Sequence, residues 1–148
     1  MGTHYKGNKE EIRALNAFIA LMRASDSLNS RQYMSLKKSN LTISQFGALE
    51  ALHHLGPMCQ SVLSKKLLKS GGNITMVIDN LEKRGLVKRN RDTDDRRFIS
   101  VHLTEEGENL IQKVFPAHAK NIVNQMSVLT DEEQKNLIDY CKRIGLQF

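Results

Sequence analysis

The chain has 148 residues, enough to bury a core of its own, and its 40% hydrophobic and 26% charged residues are the balance of an ordinary soluble globular domain. Its formal charge is +6; no apolar run approaches the roughly 18 residues of a membrane span, and the opening MGTHYKGNKEE lacks the apolar centre of a signal peptide. Two cysteines, Cys59 and Cys141, cannot make a disulfide framework, so a reducing cytoplasm is the expected setting.

Glu10 to Leu36 reads as one long helix, because Ile12, Leu15, Phe18, Ile19 and Met22 keep helical spacing and no Pro or Gly interrupts them. A stripe of that length is more than one small domain covers, which predicts a partner subunit. Thr42-Ile43-Ser44-Gln45 has the form of a capping box and opens a second helix, Ser44–His54, with Phe46, Leu49 and Leu52 inward. Gly56-Pro57 ends it. A short third helix from about Gln60 to Leu68 packs Val62, Leu63 and Leu67.

After the turn Ser70-Gly71-Gly72, the residues Ile74, Val77, Ile78 and Leu81 place an apolar stripe on a fourth helix. Its other face carries Asn73, Thr75, Met76, Asp79, Asn80 and Lys83, and Gly85 behind Lys83-Arg84 is a helix stop. Two short helices joined by a glycine-containing turn, the second polar on its outer face, form a helix-turn-helix.

Leu86–Asn90 and Phe98–Leu103 alternate around the charged loop 91–97, which makes a β-hairpin, or wing, with Ile99, Val101 and Leu103 facing the core. Thr104 caps the next helix, and Leu110, Ile111, Val114, Phe115, His118, Ile122 and Met126 carry its stripe through Val128, with a kink expected at Pro116. Thr130 to Glu133 is a further capping box, opening a last helix striped by Leu137, Ile138, Cys141 and Ile144, where Cys141 is a packing residue. The predicted class is mainly α with a small β-wing (α+β). It is one domain over 1–148: a winged helix-turn-helix at about 42–103, flanked by helices at about 8–38 and 104–148.

The charge is concentrated. Residues 60–91 hold Lys65, Lys66, Lys69, Lys83, Arg84, Lys88, Arg89 and Arg91 against Asp79 and Glu82, a surplus equal to that of the whole chain. Such a window is an electrostatic footprint for a polyanion. Nucleic acid is favoured over a membrane, since the cations flank a polar helix and no aromatic amphipathic face. The fourth helix is expected in a DNA major groove, with the hairpin tip in an adjacent minor groove. No catalytic or metal centre is predicted and no cofactor: His53-His54 point to different helix faces, His102 and His118 lack ligand partners at useful spacing, and SGGN lacks the lysine of a phosphate-binding loop.

The order of elements, with LEKRGLVKRNRDTDDRRFISVHLTEEG at 81–107 and FPAHA at 115–119, resembles the MarR family of bacterial winged-helix regulators over nearly the whole chain. The specific features are the Asp-x-Arg wing tip at Asp95 and Arg97 and the following Leu-Thr-x-x-Gly. The resemblance implies dimerisation through the terminal helices, two winged modules on a pseudo-palindromic operator, repression, and release by a small phenolic or aromatic compound or by an oxidant. Gly72, Asn73, Thr75 and Met76 fall where side chains reach base edges, Asn suited to adenine and Thr to several bases. Ser70 and the helix start fall near a phosphate. Arg97 matches a minor-groove contact, with Asp95 orienting it. Lys65, Lys66, Lys69, Arg84, Lys88, Arg89, Arg91 and Arg96 supply phosphate contacts.

The chain departs from the family at Gly71-Gly72, where polar residues are commoner, and at Cys59, which stands where Ser or Thr usually caps the third helix. The family's pocket lies between the dimer helices and the winged module. Met22, Phe46, His53 and Met58 are the candidate lining for an aromatic effector. The alternative signal is oxidation or electrophile attack at Cys59, a thiol at a helix N-terminus with Lys65 and Lys66 further along the chain.

Overall fold

In the computed structural model, which describes residues 2–91 and 99–145, the chain opens on a long helix, α1 (Lys9–Lys37). A capping box that the apolar pattern does not reveal sets its start: the Asn8 side chain accepts from the Glu11 amide, and Glu11 accepts from the Asn8 amide. The chain leaves the helix through Asn40, whose φ of 52° is one that asparagine tolerates. Helix α2 (Ile43–Leu55) begins with the expected reciprocal box between Thr42 and Gln45.

Strand β1 (Met58–Cys59) is too short to show in the sequence pattern. It pairs with β3 (Ile99–Leu103), and β3 pairs with β2 (Val87–Arg91), giving an antiparallel sheet in the order β1-β3-β2. The hairpin register sets Val87 opposite Leu103 and Arg91 opposite Ile99. Its tip, with Asp95, Arg96 and Arg97, lies outside the described residues. Ile99 sits at the far end of this ladder and is exposed, not turned to the core as its alternation predicts.

Between β1 and the hairpin lie α3 (Gln60–Lys66) and α4 (Gly71–Lys83). Helix α3 stops short of Leu68, which turns left-handed (φ 51°), while the Ser64 hydroxyl donates to the Lys69 carbonyl and closes the turn. Helix α4 ends in a Schellman motif: the Gly85 amide donates to the Glu82 carbonyl and the Leu86 amide to that of Leu81, with Gly85 at φ 69°. The side chains of Leu81 and Leu86 are buried, as the motif's apolar contact requires.

The Leu-Thr-x-x-Gly run is the joint that seats α5 (Glu105–Met126) on this corner. The Thr104 hydroxyl accepts from the Gly107 amide and donates to the Gly85 carbonyl, while the Thr104 amide donates to the Leu86 carbonyl. A Cβ on Gly107 would collide with the Leu86 carbonyl oxygen, so only glycine permits the approach. Helix α5 runs unbroken across Pro116, and α6 (Asp131–Gly145) opens with the expected box between Thr130 and Glu133.

Every fully buried hydrophobic side chain lies between Leu36 and Ile111, among them Leu49, Leu63, Ile74, Ile78, Leu81 and Val101. Each contributes about 1.5–3 kcal/mol by leaving water, so the folding free energy resides in the winged module. The outer reaches of α1 and α5 draw little from it, and α6 buries no residue at all. Phe18 is 60% exposed, Val123 65% and Ile144 56%. Cys141, expected in packing, is exposed for the same reason. No helix among the described residues is long and apolar enough to cross a membrane.

Candidate nucleic-acid interface

Helix α4 packs its stripe of Ile74, Val77, Ile78 and Leu81 inward, which leaves Gly71, Gly72, Thr75 and Met76 exposed in its first turns. Ser70 caps it, accepting from the Asn73 amide at 3.3 Å. A Cβ on Gly71 or Gly72 would meet nothing within 4 Å, and neither residue has a positive φ. Nothing inside the chain therefore demands glycine at either position. What the pair provides is a first turn stripped of side chains, its amide dipoles open to an anion.

Thr75 is exposed, but its hydroxyl is engaged: it donates to the Gly71 carbonyl at 2.9 Å and accepts from Gln60 Nε2 at 2.6 Å. Gln60 Oε1 in turn accepts from Arg89 Nη2 at 3.3 Å. Arg89 pairs with Asp79 at 2.6 Å and Glu82 at 2.5 Å, and its backbone amide donates to Glu82 at 3.0 Å. Partial burial opposes the charged guanidinium, but the bonds to Asp79 and Glu82 outweigh it and raise its pKa. Arg89 is therefore a clamp joining β2, α4 and α3, not the phosphate ligand expected from its place in the basic run. Gln60, Asp79 and Glu82 are the residues that sequence reasoning missed. Their signal was present: Asp79 and Glu82 stand three apart, on one side of α4, and are the sole acids in the basic window.

Arg84 is also committed. Its Nη1 donates to the Asn40 carbonyl at 2.8 Å and to Gln45 Oε1 at 3.5 Å, tying α4 to the α1–α2 turn. Asn73, expected to face bases, is half-buried, and its side-chain oxygen is shielded from solvent with no partner. Lys65, Lys66, Lys69, Lys88 and Arg91 are exposed and enter no ion pair among the described residues. Thus the structure splits the basic run into cations spent internally and cations left open.

The candidate effector residues do not line a common cleft among the described residues. Phe46 is in the core, its ring centroid 4.3 Å from that of His118 and 6.5 Å from that of Phe115. Met58 packs against the core from β1, His53 Nδ1 meets Glu108 at 2.8 Å, and Met22 is exposed on α1. Core packing and the Glu108 partner account for three of the four. The cleft that opens between α1 and α5 is instead lined by Ser35, Lys38, Leu110, Lys113, Val114 and His118 among others, with a volume of about 390 Å³. Asn121 Nδ2 donates to the Ser35 hydroxyl there at 2.7 Å. Burial holds the His118 pKa below its usual value, with Glu50 working partly against it.

Cys59 occupies the cap position of α3 without making a side-chain capping bond. Its sulfur lies 3.2 Å from the Ser61 hydroxyl, and bonds from Ser61 and then the Val62 amide lower the thiol pKa. Among the described residues no group of His, Cys, Asp and Glu could hold a metal ion, and the His53 and His54 rings stack edge to face at 4.7 Å.

A family model described as the MarR family matches residues 41–99. The chain is similar to the HTH-type transcriptional regulator MhqR of Bacillus subtilis strain 168, at 36% identity over 90% of this chain and 92% of the relative. Its fold is similar to that of AbsC, a MarR family transcriptional regulator from Streptomyces coelicolor, with a TM-score of 0.85, 22% identity, and coverage of 95% and 96% of the two chains. It is also similar to Bordetella bronchiseptica BpsR, described as regulated in DNA binding by 6-hydroxynicotinic acid, with a TM-score of 0.71, 23% identity, and coverage of 85% and 98%.

Proposed function

We propose, from the premise that this chain belongs to the MarR family of DNA-binding winged helix-turn-helix transcriptional regulators, that it is a cytoplasmic homodimeric repressor without catalytic activity. The observation that carries the reading is the bare first turn of α4, with open cations on the elements packed against it. The helix start and Ser70 approach a phosphate, while Met76, 58% exposed, offers apolar contact to a thymine methyl. Lys65, Lys66, Lys69, Lys88 and Arg91 neutralise backbone charge without reading sequence. Arg97, oriented by Asp95, takes the minor groove and Arg96 a phosphate, assignments that rest on charge and on the family resemblance.

The apolar residues left exposed on α1, α5 and α6 support a second copy of the chain as their cover. Two modules then meet a pseudo-palindromic operator whose half-sites are one helical turn apart, or a multiple. For the signal we favour a small aromatic acid in the cleft between α1 and α5. Lys38 and Lys113 suit a carboxylate, Leu110 and Val114 suit a ring, and the volume falls within the range of ligand sites. BpsR responds to a compound of that class. The second reading, a thiol sensor, is favoured by the lowered pKa of Cys59.

The test selects fragments bound by the full chain from random duplex DNA, then screens aromatic acids and quinones for release. Failure to enrich any sequence would sink the repressor reading. A response that survives Cys59→Ser identifies a ligand-gated protein; one that disappears identifies the thiol.

A further inference from the structure

A second cleft, of about 460 Å³, opens at the other end of α4, where the last turn of α1 meets the start of α2. Tyr33, Lys37, Thr42, Asn80, Lys83 and Arg84 are among its lining, and no lining residue carries a carboxylate. Lys37 and Lys83 are exposed and unpaired among the described residues, while Arg84 is held at the wall by the Asn40 carbonyl. Each cation sits at the C-terminal end of a helix, where it offsets the dipole. That local role explains each residue singly, but not their convergence on an acid-free cleft.

The placement along α4 supplies the rest. Asn80 and Lys83 follow Met76 at helical spacing, so the cleft continues the exposed face that begins at Gly72. Gly72 to Asn80 is eight steps of 1.5 Å, about 12 Å, which is the approximate width of the DNA major groove. We infer that this cleft is a second phosphate site: while the bare turn of α4 meets one sugar-phosphate wall, Lys37, Lys83 and Arg84 take a phosphodiester of the opposite wall. The inference rests on the proposed DNA-binding reading and adds Tyr33, Lys37 and Lys83 to its contact set. The same chemistry would accept a free phosphorylated molecule, and the experiment separates the two.

The full-length protein carrying Lys37→Gln and Lys83→Gln is compared with wild type, and with a charge-matched control carrying Lys120→Gln and Lys142→Gln on α5 and α6. Arg84 is left alone because it also ties the α1–α2 turn. Fluorescence anisotropy with a labelled duplex of arbitrary sequence is recorded across a salt series. The slope of log affinity against log salt should become shallower by about two in the double variant, at about 0.9 per phosphate, and stay at the wild-type value in the control. Equal slopes in all three proteins overturn the inference and leave DNA binding standing. A wild type with no salt-dependent binding overturns the reading beneath it. Calorimetric titration with inorganic pyrophosphate completes the test: saturation of wild type but not of the double variant, with unchanged slopes, assigns the cleft to a free phosphorylated ligand and overturns the duplex assignment.

Discussion

Replacing Gly71 and Gly72 together with alanine separates two quantities that usually move together. Both backbones have conformations that alanine adopts, and both added Cβ atoms would stand in open space. Each replacement therefore restricts the unfolded chain at no cost to the folded one, a gain of about 0.4–1 kcal/mol per site. The pair should stabilise the protein by about 1–2 kcal/mol, and at this size each kcal/mol raises the melting temperature by about 2–4 °C. Binding should move the other way. Two methyl groups would stand between the first-turn amides and the phosphate, and a hydrogen bond to a charged group is worth about 1.5–3 kcal/mol. Affinity should fall by roughly ten- to 150-fold. Thermal unfolding by circular dichroism and anisotropy at fixed salt measure the two effects on one preparation. A variant that melts higher and binds DNA as tightly as wild type would refute the close approach, and one that melts lower would refute the packing account.

Gly107→Ala should destabilise by about 1–3 kcal/mol in urea titrations, because its methyl group overlaps the Leu86 carbonyl; an unchanged midpoint would mean that the joint yields freely. Arg89→Met should lower stability by about 1–2 kcal/mol, a figure discounted because Asp79 and Glu82 are 47% and 39% exposed, and should weaken binding to every sequence alike. A residue that only touched phosphate would leave the urea midpoint where it was. For His118, burial favours the neutral ring in the folded state, so the unfolded chain takes up its proton first as pH falls. Stability should be full above the ordinary value of 6.5 and decline below it, and His118→Leu should flatten that decline in melting curves over a pH series.

The elements and the family were legible because helical stripes, capping boxes and the Gly85 stop act over a few residues. Strand β1 escaped, since two residues cannot display a period, and the Asn8–Glu11 box escaped because nothing apolar marks it. The basic run was legible as a sum of charges, but not in its division of labour. Whether Arg89 faces solvent or Asp79 depends on how β2 lies across α4, a tertiary fact. The effector candidates failed for a related reason. Phe46 and Met58 are apolar and semi-polarisable wherever they sit, and only packing shows that the core already holds them.

Because Arg89 bolts β2 to α4 and reaches α3 through Gln60, the helix and the wing strand cannot be prised apart without breaking several polar links at once. An effector lodged between α1 and α5 has no direct means of retracting the helix alone. It has to tilt each head as a rigid block, and the distance from that hinge to the tip of α4 magnifies a small rotation. In a two-headed assembly, release would come from a mismatch in span between the heads, with each grip still intact.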